Sequence, residues 1–524
     1  MDTTTSNKGL AGVIAASSLG TLIEWYDFYI FGSLAVIIST KFFPAENPTA
    51  ALLSTLATFA AGFVVRPFGA LFFGRLGDII GRKYTFLITL VLMGISTFLI
   101  GCIPSYEKIG FLAPILVLLL RLLQGLALGG EYGGAATYVA EHSPVARRGF
   151  WTSWIQTTAT VGLFLSLLVI VTTKGLMSKD DFNDWGWRVP FWISIIMVGI
   201  SIVIRLKMKE SPLFQKAKDE GKTSKNPLKE SFGNKLNFKF VLLALFGATM
   251  GQGVVWYTGQ FYALNFIQTT LLVDITQASN ILMIALAMGT PFFIVFGALS
   301  DKIGRKWIML IGMLIAMFSY RTIYTKMYES GSVTSKKEIA GNTRTVVKTA
   351  AGAKNIGDSI RTTVINKSYA DGTTYVETQR LTIHADPLKA DAAKNLKTDK
   401  VTLLDTGSFW KLVWLVFIQV LFVTMVYGPI AAFLVEMFPI RIRYTSMSLP
   451  YHIGNGIFGG LLPTIALFLA TKAGQANEVA TKTGIKLPYE KPYLEGLWYP
   501  IIIAGVCFVI GALYIDNKNK NVTE

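Results

Sequence analysis

The chain has 524 residues, of which 52% are hydrophobic and 15% charged, with a formal net charge of +17 and a mean hydropathy of +0.48. That balance excludes an ordinary soluble multi-domain protein and points to a polytopic membrane protein whose cations lie between apolar segments for topology. It leaves no legible basic-aromatic surface for nucleic acid, and the two cysteines, Cys102 and Cys507, sit in apolar runs without disulfide or metal-ligand spacing.

The opening MDTTTSNKGL lacks the charged n-region and cleavage site of a secretory signal, so the first apolar run is expected to stay in the mature chain. Runs long enough to cross a bilayer, about 20 residues each, fall near 13–40, 52–73, 85–103, 111–138, 150–173, 188–207, 239–272, 279–299, 307–325, 409–435, 445–471 and 497–515. These are twelve predicted spans, six on each side of a polar linker at 209–238. The run at 239–272 exceeds one upright span and predicts a tilted helix or an outer extension. Arg75, Arg82 and Lys83, then Arg147 and Arg148, the linker, Lys302, Arg305 and Lys306, and finally Arg441 and Arg443 all fall on one side. The bias of basic loops makes that side the cytoplasm, and an even number of spans puts both termini there.

GRLGDIIGRK at 74–83, between the second and third spans, has a twin in GALSDKIGRK at 297–306, between the eighth and ninth. Gly77 and Gly81 allow a tight turn, Asp78 can cap a helix, and Arg82 and Lys83 anchor to the cytoplasmic face. One such hairpin is an ordinary basic turn; two in corresponding positions indicate a duplicated chain, as repeats do in transporters. EHSPVARR at 141–148 and EMFPIRIR at 436–443 form a second pair, but the stretch from Gly304 to Glu436 is much longer than that from Gly81 to Glu141. The surplus, at 326–406, falls outside the cytoplasm by topology and is rich in Thr, Lys and Gly. It contains TTVINKSYADGTTYVETQRLTI, in which Asp371-Gly372 sits like a hairpin turn between β-branched stretches; a small β-rich subdomain and a mobile loop both fit.

Charges inside spans are costly and therefore candidates for function. Glu24 and Asp27 share a face of the first span, and at about 1.5 Å rise per residue Glu24 lies roughly 16 Å in, with Asp27 about one turn deeper. Desolvation there penalises a charged carboxylate, the property a proton carrier needs; the alternative is a structural ion pair with an arginine. Arg121 enters the fourth span to a similar depth, with Gln124, Leu128 and Glu131 on the same broad face. Its fork suits Glu24, Asp27 or an anionic substrate, and a substrate carboxylate that displaced an internal one would free that acid for a proton. Arg66, nearer the cytoplasmic end of the second span, fits either substrate binding or pairing within the first half. The pairs Gly129-Gly130 and Gly133-Gly134 fit close helix packing.

In the second half, Trp256, Tyr257, Gln260, Tyr262 and Asn265 of the seventh span and Tyr451, His452 and Asn455 of the eleventh are able to line a polar cavity. Each also fits simple packing, and His452 adds a pH-responsive option. The chain has no GxxxxGKS or GxxxxGKT phosphate cradle, no HExxH and no GxSxG, so neither ATP-driven transport nor hydrolysis has a foothold and no cofactor is expected.

The paired GRLGDIIGRK and GALSDKIGRK resemble the signature loop of the major facilitator superfamily. EWYDFYIFG at 24–32, RLLQGLALGGEYGGA at 121–135, WGWRVPFW at 185–192, ESPLF at 210–214 and FPIRIRYTSMSL at 438–449 resemble, within it, the metabolite:proton symporter family. That family carries proline and betaine, α-ketoglutarate, shikimate, citrate and related solutes, mainly across bacterial inner membranes. The resemblance implies that Glu24 and Asp27 are the acidic pair of the first helix, Arg66 the arginine of the second, and Arg121 and Glu131 the charged positions of the fourth. It also implies that Asp78, Arg82 and Lys83, with Glu141, Asp301, Arg305 and Glu436, form interdomain gating contacts, the first loop being the stronger copy. The chain departs from the family in Pro450 and His452, where Gly and Asn are frequent, and in the length of its outer insert.

The expected fold is all-α, twelve membrane helices in two six-helix halves, 1–208 and then 239–325 with 407–524, interrupted by the insert at 326–406. The expected function is proton-coupled symport of a small polar metabolite by alternating access, with no enzymatic activity. Substrate contacts are expected from Arg66, Arg121, Gln124, Glu131, Tyr257, Gln260, Tyr451, His452 and Asn455, and the expected partners are that substrate, protons and the bilayer, not nucleic acid. An uncoupled facilitator or exchanger, and a transporter-like receptor sensing through the insert, remain as alternatives.

Overall fold

A computed structural model of the chain describes residues 7–44, 48–80, 82–207, 215, 219–220, 227–351, 359–384, 396–439 and 442–516. Within these ranges the side chains at 7–13, 15–17, 19–20, 77–80, 82–83, 86, 204–205, 207, 227 and 351 lie outside the description. In a bilayer every backbone polar group has to be satisfied internally, so apolar runs of this length fold as helices. Among the described residues ten helices are long and apolar enough to span: Pro48–Leu76, Leu112–His142, Val145–Gly175, Gly186–Val203, Lys235–Thr269, Ile275–Ile303, Arg305–Gly331, Thr406–Met437, Arg443–Thr483 and Pro492–Tyr514. The first span is a bent pair, Thr21–Ser33 and Ala35–Phe42, kinked by 63°, and the shorter apolar helix Leu87–Cys102 takes the third place. The expectation of a mostly helical polytopic fold is met, with eleven spans counting the bent pair and Leu87–Cys102 as a shorter helix in the remaining place.

The helices are interrupted beside Arg66 and Glu131. Pro67 has no N–H to donate and clashes with the preceding turn, so the second span breaks into Pro48–Val64 and Arg66–Ile80 with Arg66 at the break. The fourth span divides into Leu112–Gly129 and Tyr132–His142 on either side of Gly130-Glu131. The long seventh span absorbs its extra length in two π-helical turns, Leu245–Thr249 and Thr258–Tyr262, and the eleventh carries a third, Ile453–Gly459. Wide turns of this kind displace the backbone ladder and occur frequently at functional sites.

The motif WGWRVPFW has a structural explanation. Trp187 is fully buried, and Arg188 Nη1 donates to the carbonyls of Gly101 (2.7 Å) and Ile103 (2.6 Å), acceptors left over at the end of the third span. ESPLF lies outside the described residues.

The chain divides into two compact units, one of Met1–Tyr262, Ala285–Arg321 and Phe417–Glu524, the other of Ala263–Ile284 and Thr322–Val416. The second contains a four-stranded antiparallel meander, β1 (Arg344–Ala351), β2 (Ser359–Ser368), β3 (Thr374–Ile383) and β4 (Leu396–Leu403), in the order β1-β2-β3-β4. The β-rich reading of the insert holds, and Asp371-Gly372 lies in the β2–β3 hairpin with Gly372 at φ +92°. At the attached end Thr402 exchanges backbone hydrogen bonds with Leu272 and Asp274, at 2.7 and 3.0 Å. There Lys336 Nζ, almost fully covered, donates to Asp371, to Thr373 Oγ1 and Ser408 Oγ (both 2.8 Å) and to Asp405 Oδ1 (3.4 Å).

Candidate functional site

Glu24, Asp27, Arg66, Arg121, Gln124 and Glu131 are all buried in the first half, and Tyr257, Gln260, Tyr451, His452 and Asn455 in the second. The two arginines meet at one ring. Phe28, the residue after Asp27, has the Arg66 guanidinium 4.4 Å and the Arg121 guanidinium 4.1 Å from its centroid. Neither arginine forms an ion pair with a carboxylate among the described residues, so the internal Arg121 pair with Glu24 or Asp27 envisaged from the sequence is not made.

Arg121 is satisfied at both terminal nitrogens, while its Nε is without a partner among the described residues. Its Nη1 donates to Gln124 Oε1 at 2.7 Å and reaches the Phe28 carbonyl at 3.5 Å, while Nη2 donates to the Phe59 carbonyl at 3.3 Å. Gln124 Nε2 in turn donates to Thr97 Oγ1 at 2.6 Å, which fixes the amide. Phe28, Phe31 and Phe59 surround the guanidinium within 4.8 Å.

Arg66 has aromatic faces but open donors. Trp25, Phe28 and Phe63 lie 5.4, 4.4 and 4.0 Å from its guanidinium carbon, yet Nε and Nη2 have no hydrogen-bond partner among the described residues. Fully buried guanidinium donors without acceptors are costly, and a ligand with an anionic fork is what such a group lacks. Asp27, in turn, faces Thr97, the residue whose hydroxyl accepts from Gln124 Nε2.

The two halves meet through rings. Tyr29 stacks on Trp256 at 5.5 Å and Phe63 meets Tyr257 edge-on at 5.2 Å. Tyr132 lies flat on Tyr451, centroids 3.5 Å apart and planes within 5°. Gln156 Nε2 donates to Tyr132 Oη at 2.7 Å, and the hydroxyls of Tyr451 and Tyr427 bond at 2.6 Å, so each ring of the stack is held by a polar partner from its own half. Asn455, a candidate cavity residue, forms a reciprocal amide pair with Gln252 at 2.7 and 3.1 Å, which holds the seventh and eleventh spans together. Gln260 keeps its Oε1 without a partner among the described residues, and His452 faces the Gly129 backbone.

Sequence reasoning passed over Phe28, Tyr29, Phe63, Thr97, Tyr132, Gln156 and Gln252. The aromatic density of EWYDFYIF was the available signal; the polar partners had none, because single Thr and Gln residues in apolar runs look like packing.

At the end bearing the arginine and lysine loops, charges are paired. Asp301 caps the fifth span, accepting from the backbone N–H of Gly149 and of Phe150, both at 2.8 Å, and also accepts from Arg305 Nη1 at 2.9 Å. Arg305 forks onto Glu436 at 2.6 and 2.7 Å, Arg148 approaches Glu436 at 4.0 Å, and Arg443 approaches Glu141 at 3.9 Å. A Cβ on Gly149 would come within 2.5 Å of the Gly297 carbonyl, so only glycine permits this approach of the fifth and eighth spans. The side chains of Asp78, Arg82 and Lys83 lie outside the described residues, so this geometry belongs to the second hairpin.

Comparison with known proteins agrees with this architecture. The D-xylose:proton symporter XylE, bound to 6-bromo-6-deoxy-D-glucose, superposes with a TM-score of 0.66 over 99% of this chain and 98% of its own, at 16% identity, a likeness of fold alone. A proline/betaine transporter of Escherichia coli is 37% identical over 319 residues, 59% of this chain and 63% of that protein, so the chain matches less than two thirds of that relative. The α-ketoglutarate permease of Escherichia coli is 36% identical over 60% of this chain and 71% of its own. A putative metabolite transport protein of Haemophilus influenzae is 31% identical over 98% of this chain and 96% of its own. These relatives are transporters and not enzymes. The sugar (and other) transporter model matches residues 13–347, and with these relatives it places the chain in that family of major facilitator membrane carriers, as its motifs led us to expect.

Proposed function

We propose that the chain is a secondary active carrier coupling protons to the movement of a small carboxylate-bearing metabolite, an organic acid or a zwitterionic osmolyte. The observation that carries this reading is Arg66, buried against three aromatic rings with Nε and Nη2 unoccupied among the described residues. A carboxylate supplies the two acceptors that fork lacks, and the faces of Trp25, Phe28 and Tyr29 suit the apolar or cationic remainder of such a solute. Proline, betaine and α-ketoglutarate, named for the relatives, share a carboxylate.

Asp27 is the proton site in this reading, with Glu24 beside it on the same helix. A protonated carboxyl is far cheaper to enclose than a carboxylate, so proton binding favours closure of the halves over a loaded site. Arg121, held by Gln124 and two carbonyls, shapes the wall on the far side of Phe28. Asp301, Arg305 and Glu436 latch the cytoplasmic end, and their release opens it. The chain sits as a multi-pass protein of a bacterial inner membrane with both termini in the cytoplasm.

The test uses proteoliposomes and radiolabelled proline, glycine betaine and α-ketoglutarate, with and without an imposed pH gradient. Asp27→Asn is expected to retain exchange of internal for external substrate while losing gradient-driven accumulation. Gradient-driven accumulation that survives in Asp27→Asn removes the coupling role, and wild-type uptake indifferent to the gradient favours an uncoupled facilitator or exchanger.

A further inference from the structure

The sheet of the insert sorts its charges by face. Residues paired directly across strands share a face, so the register makes Lys348, Thr362, Arg380 and Lys397 one rung, with a cation on three of four strands. Arg344 joins them on that face, where Asp399 is the one acid among the described residues. Arg380 and Lys397 stand directly opposite each other, an arrangement that repels. All four cations are exposed, and none makes a hydrogen bond or ion pair among the described residues.

The opposite face and the attached end are arranged otherwise. Glu377 stands across from Lys400, Lys367 Nζ donates to Glu338 at 3.1 Å, and Lys336 sits between Asp371 and Asp405. Among the described residues the insert thus pairs Lys336 and Lys367 with acids and leaves the Lys348–Arg380–Lys397 row without an ion pair.

We infer that this face of the sheet docks an acidic polysaccharide, whose carboxylates bridge the Lys348–Arg380–Lys397 rung. Adjacent strands are about 4.8 Å apart, so the rung is about 14 Å long, the scale of a few sugar residues on a chain. Thr362, Thr378, Thr382 and Asn366 share the face and offer hydroxyl and amide partners for sugar hydroxyls. The face has no aromatic residue among those described, Tyr375 being on the other side, so it lacks the stacking platform that single-stranded nucleic acid uses. Along β4 the rung lies six residues from Leu403 at the attached end, about 20 Å of strand. The inference rests on the reading that 326–406 faces outward, and it is independent of what Arg66 binds.

The full-length protein in zwitterionic-lipid nanodiscs is titrated into fluorescent polygalacturonate and followed by anisotropy at two salt concentrations. Binding is expected to weaken steeply with salt, and to fall at least tenfold both in K348E/R380E/K397E and in the milder K348Q/R380Q/K397Q, which guards against misfolding of the charge-reversed sheet. Arg361→Glu, on the opposite face, and neutral dextran are the controls, with no change and no binding expected. Equal binding by the glutamine variant and wild type overturns the inference. So does preferential binding of oligo-dT or of phosphatidylglycerol vesicles, or failure of a membrane-impermeant maleimide to label Lys348→Cys on intact cells. Substrate uptake in proteoliposomes by the glutamine variant is expected to equal wild type, so failure here is separable from failure of the transport reading.

Discussion

The middle of the bundle and its basic end use the same side chains in opposite ways. At the basic end Arg305 is forked by Glu436 and Asp301, and Asp301 also caps a helix, so each charge holds two or more elements. In the middle, Arg66 and Arg121 flank a phenylalanine and reach no carboxylate among the described residues. Paired charges are satisfied without help and act as a latch. An arginine kept from internal acids bears its desolvation uncompensated until a ligand arrives, which makes it a receptor for one.

Removing the receptor is expected to have the largest effect. Arg66→Ala loses two charge-assisted hydrogen bonds to substrate, about 3 kcal/mol, or roughly 100-fold in substrate affinity. Arg66→Lys keeps the charge without the fork and should recover only part of it. Arg121→Ala is expected to cost less, since its donors serve Gln124 and two carbonyls, and thermal-shift titration with glycine betaine, proline and α-ketoglutarate separates the two. If Arg121→Ala proved the more damaging to binding, the contrast drawn here would be assigned to the wrong arginine.

Breaking the latch comes next. Asp301→Asn removes a charge facing the Gly149 and Phe150 N–H groups and Arg305, worth about 1–2 kcal/mol, and shifts the population roughly tenfold toward the state open at the basic end. Gly149→Ala does the same by steric means, since its Cβ would lie 2.5 Å from the Gly297 carbonyl. Both should raise alkylation of Ser153→Cys, which sits against Gly297, in a background without Cys102 and Cys507. Alkylation unchanged in both variants would show that these contacts do not hold that end shut. A smaller effect is expected of Tyr451→Phe, which keeps the stack on Tyr132 and loses the bond to Tyr427, worth about 1 kcal/mol or some fivefold in uptake rate.

The contrast was only half legible in the sequence. Twelve apolar runs, paired hairpins and charges inside spans announce the fold and most of the buried cluster, because burying Glu24, Asp27, Arg66 or Arg121 without a role is expensive. Where each charge points depends on breaks in the helices, and only Pro67 signals one beside Arg66. The amide partners Gln124–Thr97 and Gln252–Asn455 are meetings of different spans, which one-dimensional spacing cannot pair. Favouring the first hairpin for the gate comes from family likeness, whereas the contacts among the described residues belong to Asp301, a residue with the same spacing and the same chemistry.

The insert offers the mildest test of the idea that paired charges serve to hold structure. Asp405 precedes the tenth span and is partly buried, which alone would raise its carboxyl, but the Ser408 hydroxyl and N–H, the Lys336 charge and the Gly407 N–H prevail and bring it down to about 2. A carboxyl lowered by folding contributes stability that is fully present above its ordinary value near 4 and is lost as pH falls toward 2. Hydrogen exchange at Thr373, Gly407 and Ser408 should therefore be flat from pH 7 to 4, once corrected for intrinsic rates, and lose protection between 4 and 2. In Asp405→Asn that step should shrink and not vanish, because Asp371, also lowered by Lys336 despite partial burial, titrates against the same ammonium. If Asp405→Asn left the step at full size, the Lys336 network would owe its hold to Asp371 alone, and the helix cap at Asp405 would be ornamental to the fold.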